Sequence, residues 1–428
     1  MNKRTFSIAT LGCKVNQYES QLMRESLARS GYREQNFKKK STVHIINTCT
    51  VTQKTDKESR RLIRDAQRTN PKATIMVTGC YTEKDESQIR KIPGISFIVK
   101  NKDKHRIADI LGKIPGPKKI FSHTAIKDFA AHEKAFVKVQ DGCDNFCSYC
   151  KIPYVRGAPI SRPLQDIRGE VEVLTQKGFR EIVLCGICLG KWGADLKPPL
   201  NVAHLLKNLI EIRSDFRIRL SSIEPYYVSD ELIYLMSISD KICKHLHIPL
   251  QSGDDEILRM MNRGYTSSEY LGLLENIRKK MPLISITTDV MVGFPGESEE
   301  GFKNTIETVK RAAFSRTHIF SYSKRDNTPS ANFTRQVPNG IVKSRVHILE
   351  KIANNLAVKY QRKFVGKKVK VLVEAKRHNL TKSLTGYTDT YINVVIDAPK
   401  PLVGMIVAAK IEEMVDSYVR AKVISNGR

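Results

Sequence analysis

The sequence lacks any run of about eighteen apolar residues, the length that a membrane-spanning helix requires. Its N-terminus starts with basic residues but has no long apolar stretch of the kind found in secretory signal peptides. We therefore expect a cytoplasmic protein that does not bind membranes. Acidic residues are also scarce, since 44 Asp and Glu stand against 72 Lys and Arg in 428 residues. The net charge of +28 favours a nucleic acid as partner, with general solubility as the alternative explanation.

The nine cysteines do not suit a disulfide framework, because the thiols of a cytoplasmic protein are kept reduced. Three of them, Cys143, Cys147 and Cys150, have the spacing CxxxCxxC. Three thiolates bind one 4Fe–4S cube and leave one iron open, which permits catalysis as an open metal position does. The alternatives are a zinc knuckle that lacks its fourth ligand and three cysteines that bind nothing. Zinc would need another ligand, and the nearest histidine, His132, lies eleven residues before Cys143.

The first 115 residues are predicted to form a parallel βαβ domain. Short apolar segments rich in β-branched residues indicate buried strands at 6–11, 43–47 and 74–78. Helical patterns separate them, such as residues 17–29, which end before the helix-terminating Gly31. A segment rich in Pro, Gly and Lys at 112–119 is predicted to be a linker.

The same alternation continues on a larger scale over residues 129–362, so that the overall fold class is α/β. Six candidate strands lie at residues 136–140, 181–185, 217–222, 245–250, 285–292 and 317–322. Six βα units are too few for a standard closed eight-unit barrel, and they predict an open, six-unit partial barrel. Residues 363–428 contain about five short strands punctuated by glycine, which predicts a small all-β barrel of the oligonucleotide-binding kind.

Three further cysteines, Cys13, Cys49 and Cys80, each come directly after one of the predicted N-terminal strands. Because the carboxyl ends of parallel strands converge on one edge of a sheet, we expect the three thiols to meet there. Gly12 and Gly79 would let the backbone approach closely at this edge. The sequence therefore predicts a second cluster site with three cysteine ligands. The alternative is a coincidence among small buried cysteines, which are common in protein cores.

The CxxxCxxC motif after the first strand of a six-unit barrel resembles the radical S-adenosylmethionine superfamily. With the second cysteine group, the chain resembles the methylthiotransferase family of that superfamily over its whole length. The matching stretches are Leu11-Gly-Cys-Lys-Val-Asn-Gln-Tyr-Glu-Ser20, Asn47-Thr-Cys-Thr-Val51, Arg219-Leu-Ser-Ser-Ile-Glu-Pro225, His247-Ile-Pro-Leu-Gln-Ser-Gly253, Met260-Met-Asn-Arg-Gly-Tyr265 and Asp289-Val-Met-Val-Gly-Phe-Pro-Gly-Glu297. The resemblance implies an N-terminal domain with dispersed cysteines, a radical barrel and a C-terminal RNA-binding domain called TRAM.

The resemblance also implies two 4Fe–4S clusters and S-adenosylmethionine as cofactors. In this family, the cluster at the CxxxCxxC motif splits S-adenosylmethionine to a 5′-deoxyadenosyl radical, and the N-terminal cluster handles the sulfur. The implied partners are the anticodon stem–loop of tRNA and an external electron donor, and we expect a monomer. We expect Glu224, at the end of the third barrel strand, and Gln251 and Arg263, after the fourth, to bind S-adenosylmethionine, with Gly293 and Gly296 letting the backbone pass close to the adenine. The alternatives are a structural Glu224 and an Arg263 that forms a surface salt bridge.

The context of the first cysteine, Gly-Cys-Lys-Val-Asn, resembles the family branch that modifies threonylcarbamoyladenosine in tRNA. The alternatives are the branches that act on isopentenyladenosine in tRNA and on an aspartate of a ribosomal protein. A non-catalytic RNA-binding iron–sulfur protein is the alternative from a different class. One departure concerns Cys188, where the family more often has a polar residue such as an amide. We expect it to be a small replacement, although Cys185 and Cys188 form a CxxC, and we expect Cys243 in the core.

Overall fold

The computed structural model describes residues 4–84, 86–112, 125–129, 132–415 and 418–424. The predicted linker, apart from Gly112, and the predicted end of the first domain at residue 115 lie outside these ranges. Within them, no helix combines the length and the apolar character needed to cross a lipid bilayer.

The N-terminal part is a five-stranded, fully parallel sheet in the order β2-β1-β3-β4-β5. Its strands are β1 (Thr5–Thr10), β2 (Arg33–Glu34), β3 (Val43–Thr48), β4 (Thr74–Gly79) and β5 (Phe97–Val99). Its helices are α1 (Lys14–Arg29), α2 (Gln53–Thr69), α3 (Cys80–Lys84), α4 (Glu86–Arg90) and α5 (Ile107–Ile110). The predicted strands are confirmed as β1, β3 and β4. The register places Thr10, Asn47 and Thr78 side by side, so these three strands end at one edge.

The central part contains six parallel strands that lie side by side in chain order. The strands of this part, with a short hairpin of β7 and β8, are β6 (Ala135–Lys138), β7 (Gln140–Asp141), β8 (Ile160–Ser161), β9 (Glu181–Cys185), β10 (Arg217–Leu220), β11 (His245–His247), β12 (Ser285–Val292) and β13 (Arg316–Ser321). Two isolated bridges, Ile218 with Ile242 and Ser222 with His247, join the halves between β10 and β11. The predicted six-unit partial barrel is confirmed.

The helices of the central part are α6 (Ile152–Arg156), α7 (Leu164–Gln176), α8 (Val202–Ile210), α9 (Asp230–Ile238), α10 (Asp255–Met260), α11 (Ser267–Lys280), α12 (Glu299–Ala312) and α13 (Asn339–Arg362). The apolar faces of α7 to α13 and the barrel strands form one continuous core. Val15 and Tyr18 of α1 belong to the same core, and the Tyr18 hydroxyl donates to Glu170 Oε1 at 3.0 Å. The N-terminal sheet is thus packed onto the barrel through α1.

The C-terminal part is a closed five-stranded barrel in the order β14-β15-β16-β18-β17, which confirms the prediction. Its strands are β14 (Lys368–Arg377), β15 (Leu384–Thr388), β16 (Asn393–Asp397), β17 (Ile406–Val415) and β18 (Tyr418–Val423). It has a core of its own, to which Tyr360 at the end of α13 and Phe364 contribute.

Two buried arginines of β10 dock this small barrel onto the base of the large one. Arg217 donates to the carbonyl oxygens of Lys370 and Tyr387 at 3.0 and 2.8 Å. Arg219 donates to the carbonyl oxygens of Thr388 and Asp389, each at 3.0 Å. Because these acceptors are backbone atoms, the docking depends on the position of the C-terminal strands rather than on their side chains.

Candidate active site

The CxxxCxxC loop follows the hairpin strand β7 and is fixed from two sides. The backbone N–H of Cys143 donates to the Gly157 carbonyl at 2.9 Å, and that of Ser148 donates to the Met261 carbonyl at 3.0 Å. Gly142 has a φ of +75°, and a Cβ there would lie 2.0 Å from the Ala158 carbonyl oxygen. Only glycine fits at this turn, so the backbone itself determines where the first cysteine of the motif begins.

The three thiols of this loop, Cys143, Cys147 and Cys150, lie together. Burial, with smaller contributions from the nearby Cys147 and Cys143, raises the pKa of Cys150 to about 12. The pKa of Cys143 is lowered to about 7, chiefly by a hydrogen bond with the Cys188 thiol. The group therefore offers three soft sulfur donors, which fits an iron–sulfur cluster in chemistry. Within the described ranges, no group of three or more His, Cys, Asp or Glu side chains is arranged to hold a single metal ion.

The second group, Cys13, Cys49 and Cys80, also comes together, at the aligned ends of β1, β3 and β4. Burial raises the pKa of Cys49 to about 11, and both Cys80 and Cys13 add to that rise. A Cβ on Gly12 would lie 2.8 Å from the Cys49 sulfur, which shows how closely the backbone passes. Cys49 and Cys80 are buried, whereas Cys13 is exposed to a cavity described below. This donor set is again three thiols and fits a second cluster in chemistry.

Two of the residues predicted to bind S-adenosylmethionine, Arg263 and Glu224, lie beside the CxxxCxxC loop. Arg263 makes a two-pronged contact with the Glu224 carboxylate and also donates to the Cys147 sulfur at 3.4 Å. The predicted alternative of a salt bridge is present, with Glu224, but it is not on the surface, because only 2% of the Arg263 side chain is exposed. Gln251 has a φ of +65°, and its buried Oε1 has no hydrogen-bond partner among the described residues. That orphaned acceptor fits a site that a polar ligand completes.

Two predicted glycines have a packing role that the sequence did not reveal. Gly293 and Gly296 have φ values of +78° and +95°. A Cβ on Gly293 would lie 2.5 Å from Val342 of α13, and one on Gly296 would lie 3.0 Å from Met260 of α10. Their contact with the adenosyl group stays a prediction.

Cys188 lies against the CxxxCxxC loop. Its backbone N–H donates to Gln140 Oε1 at 2.8 Å, and Asn145 Nδ2 lies 3.8 Å from its sulfur. Gln140 also donates to the Gly142 carbonyl at 2.8 Å, so one side chain ties the start of the motif to the loop after β9. Cys243 is 2% exposed and lies in the core, as predicted.

A cavity of about 680 Å³ opens between the three parts of the molecule. Cys13 and Lys14 line it from the N-terminal sheet, and Tyr391 lines it from the C-terminal barrel. The inward faces of the central strands supply a polar wall that includes His247, Asp289 and His318. His247 Nε2 lies 3.2 Å from Asp289 Oδ2. These side chains were not among the predicted site residues, although polar residues at alternate positions of apolar strands are a usable signal.

Three family models match successive parts of the chain. The model described as Uncharacterized protein family UPF0004 matches residues 5–100. The Radical SAM superfamily model matches residues 137–309, and the TRAM domain model matches residues 362–424.

Known relatives match along nearly the whole length. The Threonylcarbamoyladenosine tRNA methylthiotransferase MtaB of Bacillus subtilis is 36% identical over 95% of this chain and 93% of its own. A tRNA-2-methylthio-N(6)-dimethylallyladenosine synthase of Clostridium tetani is 34% identical over 96% of this chain and 94% of its own. The two names differ in the nucleoside, so these relatives agree on the class of reaction.

Among solved structures, the radical S-adenosylmethionine methyltransferase TsrM of Kitasatospora setae, with cobalamin and a 4Fe–4S cluster bound, has a similar fold. The TM-score is 0.56, and the match covers 77% of each chain at 14% sequence identity. At that identity the likeness concerns the fold alone.

Proposed function

Because this chain belongs to the methylthiotransferase family of radical S-adenosylmethionine enzymes, we propose that it converts N6-threonylcarbamoyladenosine beside the tRNA anticodon to the 2-methylthio derivative. The reaction replaces an aromatic C–H by C–S–CH₃. One observation carries the proposal: Cys13 of the N-terminal group lines the same cavity that the barrel strands enclose. A sulfur carried at the N-terminal cysteines would therefore be close to a substrate held inside the barrel.

In this proposal Cys143, Cys147 and Cys150 hold the radical cluster, and Cys13, Cys49 and Cys80 hold a second 4Fe–4S cluster. When bound, these groups supply a carbon-centred radical that removes the hydrogen and a sulfur that takes its place. Gln251, with its orphaned Oε1, binds a polar group of S-adenosylmethionine. Glu224 and Arg263 fix the position of Cys147 beside that cofactor, since Arg263 contacts both. Gly293 and Gly296 leave room for backbone contact with the adenosyl group.

The polar wall of the cavity is proposed to orient the target base. His247 and Asp289 form a pair, and His318 lies beside His247 with ring centroids 5.8 Å apart. Lys14 enters the same cavity from the N-terminal side. Proteins usually read RNA bases that are unstacked from a loop, by hydrogen bonds to their edges. A base in the anticodon loop meets this requirement, and the enclosing walls exclude water from the reaction.

The partner proposed is the anticodon stem–loop of tRNA. The net charge of +28 and the C-terminal TRAM domain both suit a polyanionic RNA. The proposal also includes an external electron donor, a monomeric enzyme and a cytoplasmic location.

Two measurements test the chemistry of the proposal. Anaerobic reconstitution should give about eight irons per chain. A content of about four would show that the protein holds one cluster instead of two. Reduction with S-adenosylmethionine should release 5′-deoxyadenosine; a protein that releases none is the non-catalytic alternative.

The substrate is tested by mass spectrometry of tRNA nucleosides from cells with and without the gene. The expected result is loss of the methylthio-threonylcarbamoyl nucleoside when the gene is absent. Loss of the methylthio-isopentenyl nucleoside alone would favour the function named for the Clostridium tetani relative. If neither nucleoside changed while 5′-deoxyadenosine was still released, the ribosomal-protein aspartate would be the remaining target.

A further inference from the structure

Arg156 links the segment that carries the CxxxCxxC motif to the N-terminal cysteine group. It ends α6, six residues after Cys150, and therefore belongs to the radical motif by sequence. Its side chain nevertheless points to the N-terminal sheet, where Nε lies 3.2 Å from the sulfur of Cys80. Only 1% of the Arg156 side chain is exposed. A buried guanidinium of the barrel thus contacts a thiol that is separated from it by 76 residues.

The other nitrogens of the Arg156 guanidinium hold it in place. Its Nη1 donates to Glu19 Oε1 at 2.7 Å and to Asp141 Oδ2 at 3.2 Å. Its Nη2 donates to Asn16 Oδ1 at 2.6 Å and to Glu19 Oε2 at 3.2 Å. Asn16 in turn donates to the carbonyl oxygens of Leu11 and Thr48, which precede Cys13 and Cys49 in the chain. Arg156 is therefore connected to all three N-terminal cysteine positions.

The charges around Arg156 do not balance without the thiols. Glu19 binds the ammonium groups of Lys104 and Lys138 at 2.5 and 2.8 Å, and Lys138 also binds Asp141 at 2.5 Å. Three cations therefore share two carboxylates in a buried network. The surplus positive charge lies where the Cys80 sulfur accepts a hydrogen bond, and a thiolate or an anionic cluster would compensate it. In a low-dielectric interior such compensation is strong.

We propose that Arg156 is a positioning residue that docks the N-terminal cysteine group against the radical barrel and stabilises the reduced state of the cluster held there. This inference rests on the proposed second cluster at Cys13, Cys49 and Cys80. Hydrogen bonds to the sulfur ligands of a cluster, and positive charge beside it, favour the state with one more electron. A guanidinium serves this purpose because it stays protonated under all relevant conditions.

The test is a redox titration of the second cluster by electron paramagnetic resonance. The background is the full chain with Cys143→Ala, Cys147→Ala and Cys150→Ala, which leaves only the N-terminal site. Arg156→Gln is the variant, because Glu19 and Asp141 keep Lys104 and Lys138 as partners. We expect the ratio of reduced to oxidised cluster at a fixed potential to fall about tenfold, which corresponds to about 59 mV for one electron. Arg156→Lys, which keeps the charge, should restore part of that ratio.

Arg162→Gln in the same background is the matched control. Arg162 is likewise buried between α1 and the barrel, where it binds Glu170 Oε2 at 2.6 Å and Tyr18 at 3.0 Å, but it donates no hydrogen bond to a cysteine of the described ranges. It should leave the titration unchanged. An Arg156→Gln variant that retains iron and titrates like its parent would overturn the inference, as would equal loss of iron from both variants. Iron lost from Arg156→Gln alone would support the docking role. A parent without any cluster would contradict the proposed function as well.

Discussion

Gly79 illustrates how a single residue decides whether the N-terminal cysteines meet. Its φ is +105°, and a Cβ there would lie 2.2 Å from the Thr48 carbonyl oxygen. Gly79→Ala should therefore push β4 away from β3 just before Cys80. We expect reconstituted protein to lose about half of its iron, from about eight to about four per chain, while the radical site stays loaded. Iron and sulfide analysis measures this.

Gly178 provides the control for Gly79. It has a similar φ of +95°, but no atom of the described residues lies within 4 Å of the position that a Cβ would take. Gly178→Ala therefore carries the conformational strain, about 1 to 3 kcal/mol, without the collision. It should lower the unfolding temperature yet keep all the iron. Equal iron content in the two variants would show that the close approach of β3 and β4 is not needed.

Cys188 stands where the family more often has a polar residue, and its thiol lies beside the CxxxCxxC loop. Its thiol is hydrogen-bonded to Cys143, so it lies beside the proposed radical-cluster site although it is outside the CxxxCxxC motif. We expect Cys188→Ala to keep about four irons at that site when Cys13, Cys49 and Cys80 are all replaced by alanine. Cys143→Ala in the same background should lose them. If Cys188→Ala also lost its iron, Cys188 would be a ligand, and the prediction that it is only a small replacement would be wrong.

The sequence predicts single residues well where one local rule applies. Cys13, Cys49 and Cys80 could be grouped because each follows a parallel strand, and such strands end at one edge. Arg156 could not be placed in the same way, because its contact with Cys80 depends on how two separate parts of the chain pack. A long, flexible side chain gives no periodic signal of its destination. Its ion pairs with Glu19 and Asp141 are visible only in three dimensions.

At the scale of elements, the differences between prediction and structure have local causes. The fourth barrel strand was predicted over residues 245–250 but ends at His247, because Pro249 lacks an N–H and Gln251 has a positive φ. The strands β7 and β8 contain two residues each, too few for a periodic pattern. Alternation and length predicted the longer strands correctly because these carry a continuous apolar face.

The docking of the C-terminal barrel provides a prediction for one element. Glu181 on β9 is buried and accepts hydrogen bonds from Arg217 at 2.7 Å and from Arg219 at 2.9 Å. Although burial raises the pKa of Glu181, the guanidiniums of Arg219 and Arg217 hold it well below its usual range. Glu181→Gln leaves two buried guanidiniums without a countercharge. We expect a loss of about 3 to 5 kcal/mol in the free energy of unfolding, measured with chemical denaturant.

The pH dependence of this loss has a defined sign. Because the pKa of Glu181 is lowered by folding, its ionised form stabilises the native state above the unfolded pKa of about 4.3. The difference between parent and Glu181→Gln should be full at pH 7 and shrink as the pH falls below about 4. Asp215→Asn is the control, since its pair with Arg180 is on the surface and the Asp215 side chain is 88% exposed. It should cost no more than about 1 kcal/mol. Equal effects of the two substitutions would contradict the docking role.

At the scale of the whole molecule, the cavity is formed by residues from three parts of the chain that are distant in sequence. Its walls come from the N-terminal sheet, the inner face of the barrel strands and the C-terminal barrel. Family resemblance and strand patterns predicted the three parts separately. They did not predict that a residue of the C-terminal barrel would line this cavity, because that position depends on backbone carbonyls accepting from Arg217 and Arg219.

Tyr391 is that residue, and it forms the part of the cavity wall that the C-terminal barrel supplies. Its ring stacks on Tyr387 with centroids 5.0 Å apart, lies 4.6 Å from the His245 ring and lies 4.8 Å from the Arg219 guanidinium. Tyr391→Ala should open the cavity toward the base of the barrel without altering either cysteine group. Water would then enter the cavity in which we propose that the base is held, and the proposed chemistry depends on excluding it.

We expect Tyr391→Ala to keep its full iron content and its release of 5′-deoxyadenosine while forming less methylthio product. The ratio of 5′-deoxyadenosine to methylthio nucleoside should rise several-fold, because radicals formed beside an open cavity are quenched before they reach the base. Tyr391→Phe keeps the ring and should keep the parental ratio. Liquid chromatography of both products from one reaction gives the ratio directly. An unchanged ratio in Tyr391→Ala would mean that the C-terminal barrel contributes RNA binding alone and has no part in enclosing the reaction.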